Sequence, residues 1–139
     1  MIGRLSSLKL LEQAVELSPS GTERAHATTR LGWVLCHVRG YRAGADAFAA
    51  ALAERPEDDA LLVEIHQGIA WCAHYAALPD ALEHAGTALE LAERTGDPKL
   101  VASALSCASF LEALTGRAMP LDAIERAVRL GVSPDWFQI

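Results

Sequence analysis

Cysteine and histidine, two side chains that bind metals, recur at a fixed interval in this chain. Cys36 and Cys72 lie 36 residues apart, and each is followed closely by a histidine, His37 and His74. Neighbouring residues on a helix point about 100° apart, so a metal site here would need ligands from two helices. The third cysteine, Cys107, comes after another 35 residues, and these spacings match no zinc-ligand pattern. We therefore expect small buried thiols and partly exposed histidines, with no metal and no cofactor.

Other reactive residue types occur without the arrangement that catalysis needs. Glu83-His84 and Glu64-x-His66 pair an acid with a base, but neither has a nucleophile beside it in the sequence. Three serines between residues 103 and 109 lie in an alanine-rich segment, where small side chains usually serve packing. We therefore expect a protein that is not an enzyme.

The composition indicates an all-α protein. Alanine and leucine make up a third of the 139 residues, whereas valine and isoleucine together number only 12. Strong helix formers therefore dominate over β-branched residues. With 51% hydrophobic and 22% charged residues, the chain is typical of folded proteins rather than disordered ones.

Charge and hydropathy exclude several classes of protein. A net charge of −6 argues against direct binding to nucleic acid. No apolar run approaches the roughly 20 residues of a membrane span. Arg4 and Lys9 interrupt the apolar residues after Met1, so no signal peptide is expected. An odd number of cysteines then favours reduced thiols in the cytoplasm.

Periodic apolar residues, prolines and glycines predict seven helices with short connections. The predicted helices cover about residues 5–17, 20–38, 41–54, 59–76, 79–96, 98–115 and 120–130. Ser20 and Glu23 have the spacing of a capping box, and Asp58 and Asp97 are expected to cap the helices that follow them. Gly40 is expected to end a helix because it tolerates the left-handed conformation.

The helices repeat as pairs. Gly32 and Gly68 lie 36 residues apart, and Pro19 and Pro56 lie 37 apart. A period of this size is typical of stacked helical repeats. We expect one repeat domain over residues 1–131, followed by a C-terminal tail over 132–139. Its divisions are a half-repeat over 1–19 and three repeats over about 20–56, 57–96 and 97–131.

One segment, Thr22 to Pro56, resembles the tetratricopeptide repeat. The residues that carry the resemblance are Leu31, Gly32, Leu35, Tyr41, Phe48, Ala51, Leu52 and Pro56. The next repeat departs from the pattern, since Ala85 stands where the family has an aromatic residue. The resemblance implies a right-handed α-solenoid of antiparallel helix pairs.

Small residues facing large ones explain how such helices pack closely. Gly32 and Ala51 are the expected small members, and Leu31, Leu35 and Phe48 the large ones. Glycine inside a helix costs roughly 1 kcal/mol relative to alanine, which close helix approach would explain. The helical glycines to which this applies are Gly32, Gly44, Gly68 and Gly86.

A second resemblance covers most of the chain. Residues 88–98, 11–17 and 31–35 are similar to the helical-repeat region of large ATP-binding regulators of the LuxR type. That family places an ATPase before the repeats and a DNA-binding helix-turn-helix after them. The chain contains neither a phosphate-binding loop nor a basic recognition helix. The resemblance implies a fragment of a bacterial transcription regulator, for which the half-repeat at the start and the apolar tail give further support.

A stripe along the first helix of each pair is the predicted binding surface. Its members are His26, Thr29, Trp33, Cys36, His37, Ile65, Ile69 and Cys72. One interpretation is a mostly apolar groove for a protein, a peptide or a small-molecule inducer. The other is that the stripe packs against the neighbouring pair. The adjacent ATPase and DNA-binding domains are further expected partners of a fragment, and a free-standing adaptor or a homodimer is the alternative.

Overall fold

The computed structural model describes residues 2–116, 125–126 and 128–130, with side chains described from residue 7 onward. Its six complete helices are α1 (Ile2–Leu17), α2 (Thr22–Val38), α3 (Tyr41–Ala53), α4 (Asp59–Tyr75), α5 (Ala81–Thr95) and α6 (Pro98–Leu114). No strand occurs in this part of the chain, so the all-α prediction is confirmed. Most of the predicted seventh helix and all of the tail over 132–139 lie outside the described residues.

Two of the predicted helix caps are formed. The Asp58 carboxylate accepts a hydrogen bond from the backbone N–H of Leu61 at 3.1 Å, at the start of α4. The Asp97 carboxylate accepts from the N–H of Lys99 at 2.9 Å, at the start of α6. Gly40 separates α2 from α3 with φ at 99°, a value that a side chain would disfavour.

The predicted capping box at Ser20 and Glu23 is wrong. Gly21 occupies the N-cap of α2, and no side chain caps this helix. The polar groups at the start of α2 bond instead to residues between α3 and α4. The Thr22 hydroxyl accepts from the N–H of Glu57 at 2.9 Å, and the Gly21 N–H donates to the Glu54 carboxylate at 2.9 Å. These bonds connect the start of α2 to the end of α3 and to the connection that follows, and neither caps α2.

The start of α5 also differs from the prediction. The helix begins at Ala81 rather than Pro79, and Asp80 precedes it with φ at 71°. The reason lies at the end of α4, where the N–H of Leu78 donates to the Ala73 carbonyl at 2.8 Å. This bond extends the turn after α4 and delays the next helix.

Consecutive helices pack against one another throughout the described part of the chain. In addition, α2 contacts α4, and α4 contacts α6. The first helices of successive pairs therefore lie side by side, as a helical repeat requires. The handedness of this stack stays a prediction. Of the described helices, none combines the length and apolar character needed to cross a bilayer.

Phe48 is the centre of the packing between the first two pairs. It is fully buried, and its ring lies against the backbones of Gly32 and Gly68. A Cβ atom would lie 3.0 Å from the ring at Gly32 and 2.7 Å from it at Gly68. The expected contact between small Gly32 and large Phe48 is confirmed. The same ring also packs against Gly68 of the next repeat.

Two packing expectations need correction. Leu31 and Leu35 are only half-buried, because the buried side of α2 is a different stripe. That stripe comprises Ala25, Thr28, Thr29, Gly32 and Cys36. Gly86 has no neighbour within 4 Å of a Cβ, so close helix approach does not explain this glycine.

Candidate interaction surface

The eight residues predicted to form a binding stripe separate into a buried and an accessible set. Thr29, Cys36, Ile65 and Cys72 are buried. The Thr29 hydroxyl donates to the Ala25 carbonyl at 2.7 Å, and the other three belong to the core around Phe48. Thr29, Ile65 and Cys72 have no exposed surface and Cys36 has 9%, so these four residues cannot line a groove for a protein or a peptide. Their placement agrees with packing between pairs.

The remaining four residues retain exposure. His26 and His37 are exposed, whereas Trp33 and Ile69 are half-buried and pack against the core. On α2, His26, Trp33 and His37 share a face with Arg30, since helical positions spaced by three or four residues are neighbours. The prediction did not include Arg30, whose side chain is 59% exposed.

Glu64 connects this face of α2 to α4, which is the first helix of the next pair. Its carboxylate accepts from the Arg30 guanidinium at 2.8 Å and from the Trp33 indole N–H at 3.1 Å. The Trp33 ring also meets Phe48 edge-on, with ring centroids 4.8 Å apart. The indole is therefore fixed at its polar tip and along one side, while part of it faces solvent.

The same face continues from α4 to α6. Glu64, Gln67 and Trp71 share one side of α4, being three and four residues apart. The Gln67 amide donates to the Ser103 hydroxyl at 3.2 Å, and the Trp71 ring stacks on Phe110 with centroids 5.6 Å apart. We call this surface the first-helix face and define it as Arg30, Trp33, Glu64, Gln67, Trp71, Ser103 and Phe110.

A row of contacting aromatic rings extends the first-helix face at the C-terminal ends of α2 and α4. Tyr41 stacks on Tyr75 at 4.9 Å, and Tyr75 meets Trp71 at 4.8 Å, before the contact of Trp71 with Phe110. Tyr41 is 37% exposed and Tyr75 is 44% exposed. Tryptophan, tyrosine and arginine are the residue types that contribute most to protein–protein binding energy. This surface therefore has the chemistry of a protein-binding site.

On α4, the burial of Ile65 and Cys72 agrees with the second interpretation of the stripe, packing against the neighbouring pair. Shifting the stripe by 36 residues gave Ile65, Ile69 and Cys72, but α4 contacts α2, α3, α5 and α6. So many neighbours leave only a narrow accessible strip. The polar residues Glu64 and Gln67, three apart in an apolar helix, were the available indication of that strip.

Two histidines meet between α4 and α5. The Nδ1 atoms of His66 and His84 are 3.0 Å apart, and the ring centroids are 5.2 Å apart. The two nitrogens are much closer together than the two ring centroids, so they lie on the facing sides of the rings. One ring must donate while the other accepts. Burial lowers the pKa of His66, and a charge on nearby His84 lowers it further.

The cysteines lie close together but do not complete a metal site. The sulfur atoms of Cys36 and Cys72 are 3.2 Å apart. Among the residues that the structure describes, no group of three or more histidine, cysteine, aspartate or glutamate side chains could hold a metal ion. The exposed His37 side chain does not join the two buried sulfurs.

No protein-family profile, curated protein or solved structure matches this chain. The resemblance to tetratricopeptide repeats and to LuxR-type regulators therefore depends on the residues of the sequence itself.

Proposed function

We propose that this chain is a non-catalytic helical-repeat segment of a bacterial LuxR-type transcription regulator that acts in the cytoplasm. Its task is to bind another protein surface, either a partner or an adjacent domain of the same regulator. A small-molecule inducer is a second ligand class for such a segment. The free-standing adaptor without a transcriptional role is the alternative.

The observation that carries the proposal is the first-helix face. It spans three neighbouring helices and combines half-buried Trp33 and Trp71 with the exposed Arg30 side chain. Contacts to Glu64 hold Trp33 and Arg30 in one arrangement before any partner arrives. Preorganised aromatic and arginine side chains lose little conformational entropy on binding, which favours recognition of a protein surface.

The reading frame on both sides of these 139 residues is the first test. An ATP-binding domain before them and a basic helix-turn-helix after them, in frame, would support the regulator. Stop codons directly outside them would overturn the regulator and leave the adaptor.

A binding measurement then tests the surface. If flanking domains exist, each is purified and titrated against the chain by isothermal calorimetry. We expect Arg30→Ala to weaken binding at least tenfold, and Glu90→Ala, an exposed change on α5, to leave it unchanged. If no flanking domain exists, the same variants are compared for self-association by analytical ultracentrifugation. Equal behaviour of the two variants would argue against the first-helix face.

A further inference from the structure

The thiols of Cys36 and Cys72 form a pair across two repeats. Their sulfur atoms are 3.2 Å apart, and they occupy equivalent positions on α2 and α4, 36 residues apart. Both cysteines are free, Cys36 with 9% of its surface exposed and Cys72 with none. The pair lies within the core around Phe48.

Gly44 of α3 holds the two sulfurs together. A Cβ atom at this position would collide with the Cys36 sulfur and would lie 3.2 Å from the Cys72 sulfur. The backbone of α3 therefore covers the pair directly, and neither thiol can turn toward α3. Oxidation of the pair thus needs only a small approach of two sulfurs that already face each other.

We propose that Cys36 and Cys72 are a redox modification site, which hydrogen peroxide converts to a reversible disulfide linking α2 to α4. This inference does not depend on the proposed function.

The first chemical step belongs to Cys36, because Cys36 keeps 9% of its surface exposed whereas Cys72 has none. A hydrogen bond from the Cys72 thiol favours the Cys36 thiolate and lowers its pKa, although burial opposes this. The thiolate attacks one peroxide oxygen, the O–O bond breaks, and the leaving hydroxide takes up a proton to become water. Cys36 is then a sulfenic acid, and the peroxide has been reduced.

The second step belongs to Cys72. In the reduced pair, its hydrogen bond to the Cys36 sulfur raises the pKa of Cys72, so Cys72 keeps its proton. Formation of the sulfenic acid removes the Cys36 thiolate that held this proton. Cys72 then loses its proton and attacks the Cys36 sulfur, the S–O bond breaks, and hydroxide leaves with that proton as a second water. In total, two thiols and one peroxide give one disulfide and two waters.

Cys107 provides an internal control. It is buried on α6, and burial raises the pKa of its thiol to about 12. A thiol that keeps its proton at neutral pH is a poor nucleophile, so Cys107 is expected to stay reduced.

The test treats the reduced, purified chain with hydrogen peroxide, then unfolds and alkylates it with N-ethylmaleimide for mass spectrometry. We expect the number of alkylated cysteines to fall from three to one, with peptide mapping joining Cys36 to Cys72. Dithiothreitol should restore three. The oxidised chain should melt about 5–10 °C higher, because the link restricts the unfolded chain.

Single variants give the controls. Cys107→Ser should still form the link, whereas Cys36→Ala and Cys72→Ala should not. In Cys72→Ser, whose hydroxyl can still donate to the Cys36 sulfur, Cys36 should remain a sulfenic acid that dimedone labels. Circular dichroism checks that each variant keeps its helices, and Cys36→Ser or Cys72→Ser replaces the alanine variant at the same position if that variant does not. Three alkylated cysteines after peroxide treatment would overturn the proposal, and so would a link that includes Cys107 or a second chain.

Discussion

At the scale of single residues, Phe48 contributes most to the packing between pairs. It is the largest of the fully buried side chains and fills the space between α2 and α4. We expect Phe48→Ala to lower the free energy of unfolding by about 3–5 kcal/mol, since it removes buried surface and leaves a cavity. Urea denaturation measures the change, and Leu17→Ala, at an 85% exposed position, is the control. A loss below about 1 kcal/mol would contradict this role.

Two helical glycines should respond to alanine in opposite directions. At Gly68 a Cβ would lie 2.7 Å from the ring of Phe48, which is fully buried and also lies against Gly32. We expect Gly68→Ala to destabilise the fold by about 1–3 kcal/mol. At Gly86 nothing lies within 4 Å, so Gly86→Ala should stabilise by about 0.5–1 kcal/mol. Chemical denaturation compares both with the native chain, and a shift of the same sign in the two variants would refute the argument.

Sequence reasoning succeeded at single residues where repeat spacing and side-chain size decide the contact. The expectation that small Gly32 packs against large Phe48 is confirmed, whereas the contact of the same ring with Gly68 was not predicted. Sequence reasoning did not decide, at Ile65 and Cys72, between a groove and packing against the next pair, and both residues are buried. A repeat pattern shows which residues are equivalent, but burial depends on how many neighbours a helix has, and α4 has four.

At the scale of elements, the described helices lie within a few residues of their predicted bounds. Local composition decides where such helices begin and end, as the caps at Asp58 and Asp97 illustrate. The start of α2 was mispredicted because Thr22 bonds to the backbone of Glu57, 35 residues away. A partner so distant in sequence cannot be read from the local pattern.

The contact between α4 and α5 should depend on pH through His66 and His84. Because the pKa of His66 is lowered in the fold, the unfolded chain binds more protons below its ordinary value near 6.5. The contribution of His66 to the free energy of unfolding is therefore highest above pH 6.5 and falls as the pH drops through that value. We expect a loss of about 0.5–1 kcal/mol between pH 7.5 and 5, the value of one partly solvated hydrogen bond.

Denaturant titrations at several pH values measure the loss of stability in the native chain, in His66→Gln and in His37→Gln. His66→Gln should remove part of the loss at low pH that the native chain shows. His37→Gln, at an exposed position on α2, should leave that loss unchanged. If His66→Gln and the native chain lose equal stability, the histidine pair does not couple these helices to pH.

At the scale of the whole molecule, stability should fall toward α1. Among the described helices α1 contacts only α2, and Leu10 and Leu17 on it are 65% and 85% exposed. By contrast, α4 is covered on several sides. Hydrogen exchange followed by mass spectrometry should show amides in the middle of α1 exchanging at least about 100-fold faster than those of α4. Equal protection of the two helices would indicate a single cooperative unit instead.

The position of Phe48 also limits how this array can be divided or recombined. Its ring belongs to the first pair, yet glycines from two successive pairs shape the space that it fills. A cut in the connection over 54–58 would expose part of the Phe48 ring on the first fragment. The second fragment would carry an unfilled cavity beside Gly68. The helix pair is thus the unit of repetition in the sequence but not a transferable part. A segment moved intact into another protein must run from α2 through α4.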